Sequence, residues 1–210
     1  MLQAAIVRRA PFGAPWARAP FGAPPGAGSV RRAGARARRD DVTRQGSEVT
    51  DGGNATPEVR LRPVEDQDVD VFFAHQADPV AAEVAAFPSR DKARFAAHWA
   101  KIRSDPGVTL RTIEADGEVA GNIGCWQQDG MSLLGYWIGR EYWGRGIATQ
   151  ALVRFLGEEP KRPLYAHVAV HNAGSIRLLQ NAHFQRAHEL ESVAPVPADG
   201  VEELIFVLEA

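Results

Sequence analysis

Residues Glu141 to Leu152 read EYWGRGIATQAL, and two glycines in that run, Gly144 and Gly146, flank Arg145. An apolar, strand-like run precedes them and a helical pattern follows. Glycine takes left-handed backbone angles without steric cost, so such a turn brings bare N–H groups close to whatever lies there. With a helix dipole behind it, the nest suits a phosphate or pyrophosphate. The pattern predicts a phosphorylated cofactor at this bend. Further along, Asn172 and Ser175 open a second helix with an amide and a hydroxyl, and Asn172 also suits a helix cap. Tyr136, Trp137 and Trp143 read as core or pocket walls, with the Tyr136 hydroxyl placed to touch a substrate.

The elements that must position these residues follow from periodicity. VRLRPV (59–64) alternates as a strand ended by Pro63, and Asp66 or Asp68 can cap a helix through Val69, Phe72 and Phe73. Pro79 and Pro88 break the next stretch. A helix over 91–104 carries Phe95, Trp99 and Ile102 on one stripe. The period then changes to two: 108–115, 118–126 and 131–138 are strands, joined through Asp116-Gly117 and Asp129-Gly130, the chemistry of tight hairpin turns. After the glycine turn, Ala148, Ala151, Leu152, Phe155 and Leu156 form the buried stripe of a helix. A strand over 164–170, a helix over 172–182, and strands over 184–192 and 201–208 complete the chain, the last two joined by a Pro-rich loop at 195–197. Strand, glycine turn, helix, strand implies a crossover that sets 131–138 beside 164–170 in parallel. The expected fold class is α/β: a mixed, mostly antiparallel sheet of about seven strands with helices on both faces.

The 210 residues suit one domain of ordinary size, and no apolar run reaches membrane-spanning length. The net charge of −2 conceals a division. Residues 1–56 hold nine arginines and four acids, whereas residues 57–210 carry an excess of seven acids. An acidic body argues against a broad nucleic-acid face. The first 56 residues, rich in Ala, Gly, Pro and Arg and repeating APFGAP at 10–15 and 19–24, have too few periodic apolar positions to repay their ordering entropy. They are expected to be disordered. A nucleic-acid or partner-binding arm around Arg31–Arg39, a targeting peptide, and an inert stretch from a start site placed too early are three readings; the inert one is favoured. Residues 57–210 form the expected domain. Cys125 is the only cysteine, which excludes an internal disulfide and fits a reducing cytoplasm. His167 and His171 lie about 13 Å apart at strand rise, too far for a shared metal. His98 reads as a surface residue, Glu141 as solvated, and Glu191 as a group that reaches the site from the sixth strand.

The body, residues 59–210, resembles the GNAT superfamily of acyl-CoA-dependent N-acetyltransferases in its element order. The family's acetyl-CoA signature, Arg/Gln-x-x-Gly-x-Gly/Ala, maps onto Trp143-Gly144-Arg145-Gly146-Ile147-Ala148, with Trp143 departing from the usual first residue. Trp-Gly-Arg-Gly-Ile-Ala-Thr looks like the RimJ/RimL-type branch, whose members acetylate protein N-termini and small amines. Asn172-x-x-Ser175, then Leu178-Leu179 and His183-Phe184, is similar to a second family pattern, with Leu179 where many members carry a catalytic Tyr and His183 where Gly is usual.

The resemblance implies a splay between the two parallel strands after Ile138, where a pantetheine arm inserts. Backbone around Ile138, Gly139 and Arg140 would hold that arm, and the N–H groups of Gly144 to Thr149 the pyrophosphate. Arg145 would add charge, and Asn172 would hold the pantetheine. Ser175 is the candidate general acid and Tyr136 a second catalytic candidate. Acetyl-CoA would donate to a primary amine, either a small molecule or a protein N-terminus, by direct attack in a ternary complex, with no metal and no covalent intermediate. A cytoplasmic monomer or homodimer, without membrane or nucleic-acid partners except through the tail, completes the expectation. The alternatives are a GNAT-fold module that binds acyl-CoA without turnover, suggested by Leu179, and a functional Arg-rich tail.

Overall fold

Two hairpin turns set the register of half the sheet. Asp116 and Gly117 both hold positive φ (54° and 86°), as do Asp129 and Gly130 (51° and 81°), the backbone that two-residue type I′ turns require. They join β2 (Thr109–Ala115), β3 (Glu118–Gln128) and β4 (Met131–Ile138) into an antiparallel meander, with β1 (Val59–Arg62) paired to β2 at the edge. In this computed structural model, residues 56–193 and 200–209 are described. The expected tail and the Pro-rich loop at 195–197 lie outside them.

The sheet has seven strands in the order β1-β2-β3-β4-β5-β7-β6, where β5 is Leu164–Ala169, β6 Gln185–Arg186 and β7 Glu203–Leu208. Among the described residues, only β4 and β5 run parallel. Helices α1 (Asp68–Ala77), α2 (Pro79–Ala85) and α3 (Lys92–Arg103) precede the meander, α4 (Ile147–Glu158) crosses from β4 to β5, and α5 (Ala173–Asn181) and α6 (His188–Val193) follow β5.

Each sheet face buries its own set of side chains. Leu134, Tyr136 and Ile138 of β4 and Leu164, Ala166 and Val168 of β5 share a core with Ile147, Ala148, Ala151, Leu152 and Phe155 of α4 and Leu178 and Leu179 of α5. The alternate residue Trp137 packs instead on Ala81 and Ala85 of α2. On the α1–α3 side, Phe72, Phe95 and Trp99 form a third cluster. At about 25 cal/mol per Å² of apolar surface removed from water, these stripes are the main force seating the helices on the sheet.

Several local expectations change. Asp68 is the first residue of α1 rather than its cap. Its buried carboxylate accepts from Arg62 (2.6 and 2.8 Å), from the Thr112 hydroxyl (2.6 Å) and from the Glu65 N–H (2.9 Å), tying α1 to β1 and β2. Pro79 starts a helix instead of only breaking one. It occupies the first turn of α2, where its missing N–H costs nothing, and Asp78 caps that helix by accepting from Val80 and Ala81 N–H. The strand expected over 184–192 shrinks to Gln185–Arg186 and becomes α6 from His188 onward. An acidic first turn (Glu189, Glu191) suits the positive end of that helix dipole.

His183, standing where the family usually has Gly, holds φ 66° just past α5. Phe184 N–H bonds the Leu179 carbonyl there, closing the helix through a left-handed residue. A Cβ is unfavourable in that conformation. His183→Gly is expected to raise the unfolding free energy by about 0.5–1 kcal/mol in urea denaturation; a loss of stability would contradict the strain.

Candidate active site

The parallel pairing of β4 and β5 covers only Ser132↔Leu164 and Leu133↔Tyr165. The strands part there, five residues earlier than the expected point after Ile138. Each remains fully paired on its outer side, β4 to β3 and β5 to β7. Antiparallel alternation shows which groups are left facing the opening. Gly139 N–H bonds Ala120 O, so the odd-numbered residues of β4 address β3 and the backbones of Leu134, Tyr136 and Ile138 turn toward β5. Val170 N–H bonds Glu202 O, so Tyr165, His167 and Ala169 turn their backbones toward β4.

Among the described residues, six buried side-chain polar atoms have no hydrogen-bond partner: His75 Nδ1, Gln76 Oε1, Tyr136 Oη, Trp137 Nε1, His167 Nε2 and Ser175 Oγ. Four belong to β4, β5 or the first turn of α5, and the other two to the last turn of α1. Such orphans are costly and rare in a packed interior, so their concentration here marks a polar site rather than a packing accident. Tyr136 Oη and Ser175 Oγ lie close enough to interact, yet no well-formed hydrogen bond joins them. Burial holds the Tyr136 phenol well above its ordinary pKa, Ser175 opposing only weakly, so the group is a proton donor at neutral pH. Leu179, at the position of the family's tyrosine, is fully buried. The two candidate hydroxyls thus meet on the α4–α5 face.

Beyond β4 the chain makes one 3-10 turn, Arg140–Tyr142, and reaches Gly144 and Gly146, both at φ 75° with open space where a Cβ would stand. Gly146 caps α4 without a side chain. The helical ladder of α4 starts with Gln150 N–H to Gly146 O (3.1 Å), so the N–H groups of Ile147, Ala148 and Thr149 precede it. The left-handed glycine turn ahead of a helix N-terminus is the backbone that the sequence implies at this bend.

Neighbours hold the bend on all sides. The Trp143 indole N–H donates to Ile138 O (2.9 Å), Arg140 pairs with Asp78 (2.7 Å), and His75 Nε2 meets Glu141 (3.2 Å). Glu141 itself remains largely exposed. Arg145 pairs with Asp116 of the β2–β3 turn (3.0 Å) and lies over the Tyr142 ring. That exposed pair is worth no more than about 1 kcal/mol, so it holds the guanidinium only weakly. Ile138 O, Gly139 N–H and the Gly139 and Arg140 carbonyls are already engaged within this bend, so the backbone open to a ligand shifts back along β4 to Leu134 and Tyr136. Asn172 caps α5, its Oδ1 accepting from Ser175 N–H (3.1 Å), and is buried.

The sequence model "acetyltransferase (GNAT) domain" matches residues 58–185. The chain belongs to that family. Acetyl transfer dependent on acyl-CoA is the family's chemistry, and acetyl-CoA is its donor. A relative from Bacillus licheniformis, the uncharacterized N-acetyltransferase p20, is 27% identical over 144 residues, 62% of this chain and 81% of its own. Solved structures share the fold at low identity. Spermidine N-acetyltransferase from Vibrio cholerae, in complex with CoA and spermine, superposes with a TM-score of 0.62 at 15% identity over 72% of this chain and 95% of that one. Mycobacterium smegmatis RimJ, in complex with CoA-disulfide, gives 0.58 at 24% identity over 72% and 82%.

Against the GNAT pattern, Trp143 replaces the usual Arg or Gln and instead pins the bend to the end of β4. Glu191 does not reach the site: it sits in α6, bonded to Arg186 (2.9 Å) and to Ile205 N–H (2.8 Å). Cys125 is buried in β3, its thiol pushed up to about 11 mainly by burial, and supplies no nucleophile. His98 is half-buried on α3, pushed down to about 4 by burial and by Arg90 and Lys101. Among the described residues no group of three or more His, Cys, Asp or Glu could hold a metal ion. The residue that sequence reasoning missed is His75. Its ring abuts Gly139, and a Cβ there would come within 2.6 Å of Nε2. No motif signals it, because α1 and the bend are far apart in sequence. Gly139→Ala is expected to cost about 1–3 kcal/mol through displacement of the ring. Adding His75→Ala should remove most of that cost in a double-mutant cycle; strictly additive losses would refute the contact.

Proposed function

We propose that this enzyme transfers the acetyl group of acetyl-CoA to a primary amine by direct attack, through the opening between β4 and β5. The observation that carries the reading is the early parting of these strands, with Tyr136 and Ser175 hydroxyls left unpartnered in the buried space beside it. The residues present suit the donor. N–H groups of Gly144, Arg145, Gly146, Ile147, Ala148 and Thr149 take the diphosphate, with Trp143 bracing the bend and Arg145 adding charge. The gap-side backbones of Leu134 and Tyr136, with the Ile138 N–H beyond them, pair with the pantetheine amides as a missing strand would, and Gly139 and Arg140, engaged within the bend, fix the end of β4 beside that arm. Asn172, the buried cap of α5, takes an amide of the pantetheine arm.

Ser175 donates the proton that the departing thiolate needs, and Tyr136 polarises it or replaces it in that role. A backbone N–H of β4 directed at the thioester oxygen stabilises the charge developing there by a few kcal/mol, on the order of an oxyanion-hole donor. Support for a RimJ/RimL-like specificity comes from the WGRGIAT run and the likeness to RimJ; a polyamine acceptor has the spermidine enzyme on its side. The acidic body suits either cation. The catalytic unit is residues 57–210, acting in the cytoplasm as a monomer or homodimer, with residues 1–56 dispensable. Among the described residues no helix is long and apolar enough to cross a membrane.

A second reading, acyl-CoA binding without turnover, rests on Leu179 in place of the usual tyrosine. Thiol release from acetyl-CoA with spermine and with peptides bearing free N-termini separates the two: release supports transfer, and binding without release across the panel supports the module. Gly146→Trp is expected to abolish acetyl-CoA binding while circular dichroism shows the fold retained; normal binding would misplace the site. Ser175→Ala is expected to lower kcat roughly a hundredfold with the KM for acetyl-CoA nearly unchanged. Deleting residues 1–56 should change neither.

A further inference from the structure

We propose that His167, oriented by Glu203, is the proton acceptor for the attacking amine. The inference rests on the transfer reading above and names a group that reading leaves open. His167 lies on β5 two residues beyond the last β4–β5 pair, roughly 7 Å along the strand. Residues paired across parallel strands face the same side, so His167 shares its face with Trp137, under α2, and opposite the face of Tyr136 and Ser175.

The ring is buried, and its Nδ1 stands 3.4 Å from Oε2 of the nearly buried Glu203 on β7. A carboxylate only accepts, so the tautomer that satisfies Glu203 carries its proton on Nδ1 and leaves Nε2 as an acceptor. Nε2 is one of the six orphaned atoms. A carboxylate holding one imidazole nitrogen while the other lacks a partner is the arrangement that general bases use.

His75 repeats the arrangement, with Nε2 on Glu141 (3.2 Å) and Nδ1 unpartnered, but it belongs to α1 and abuts Gly139, whereas His167 sits on a strand that borders the opening. His171 Nε2 meets the Glu83 carbonyl (3.2 Å). With His167 on one face and Ser175 on the other, the proton path crosses the sheet. The amine lone pair forms the N–C bond to the thioester carbon, and the C–S bond breaks with its electron pair on sulfur. The surplus proton on nitrogen passes to His167 Nε2, and the thiolate takes one from the Ser175 side.

The test uses the full chain with acetyl-CoA at pH 7.5, and spermine and 2,2,2-trifluoroethylamine as acceptors, followed by thiol release. His167→Gln is expected to slow spermine, a strong base whose surplus proton is hard to lose, about a hundredfold, and trifluoroethylamine, a weak base that is neutral at this pH and sheds that proton readily, by less than about threefold. Acetyl-CoA binding by calorimetry should be unchanged. Imidazole added to His167→Gly should restore turnover of spermine. Glu203→Gln, which alters a positioning residue, should lower kcat while leaving the KM for acetyl-CoA intact. Equal losses for every acceptor without imidazole rescue, or no loss at all, would overturn the assignment while leaving the transfer reading standing. If the unaltered protein releases no thiol with any acceptor, both fall.

Discussion

Backbone amides buried in a sheet must be paired, and in the middle of this sheet a stretch of them is not. β4 and β5 pair at two positions and then diverge, each still bound to its outer neighbour. The unpaired edges belong to central strands, so the stability of the outer ladders keeps the gap open at the cost of a few unsatisfied groups. A ligand that carries amides of its own and fits between two strands relieves that cost. The site is therefore a defect in the sheet that the rest of the fold maintains, and the orphaned side chains along both faces are part of the same arrangement.

The bend that follows β4 is docked on its neighbours. Trp143 bonds back to Ile138, Arg140 reaches Asp78 at the start of α2, Glu141 reaches His75 in α1, and Arg145 reaches Asp116 in the β2–β3 turn. Each contact is modest alone. Together they fix the glycine turn and the first turn of α4 behind it, and the proposed polyanion site would therefore be pre-organised. The GNAT motif's usual first residue is replaced by a tryptophan that acts through this docking.

Much of the architecture was readable from local chemistry. Asp-Gly pairs specified both hairpins, the stripe from Ala148 to Phe155 specified α4, and Gly144 and Gly146 specified the left-handed turn before it, because each depends on backbone preferences or on spacing within one element. What escaped depends on contacts distant in sequence. The strands part at Leu133 rather than after Ile138, a matter of sheet twist and register that no local pattern encodes. Residues 188–192 alternate weakly enough to pass for a strand, but α6 wins through its acidic first turn and the Glu191 contacts. His75 and the His167–Glu203 pair are joined by the fold alone; in the sequence they are isolated histidines, of which the commonest kind is structural.

The central claim is that the glycine bend and the inner edge of β4 receive the donor. Titrating the ¹⁵N-labelled protein with coenzyme A and following backbone amide resonances addresses it most directly. The largest shifts are expected at Gly144, Arg145, Gly146, Ile147 and Ala148, with a second group at Leu134 and Tyr136 on the gap side of β4. Saturable binding whose shifts leave both segments unchanged and fall elsewhere on the sheet would contradict it.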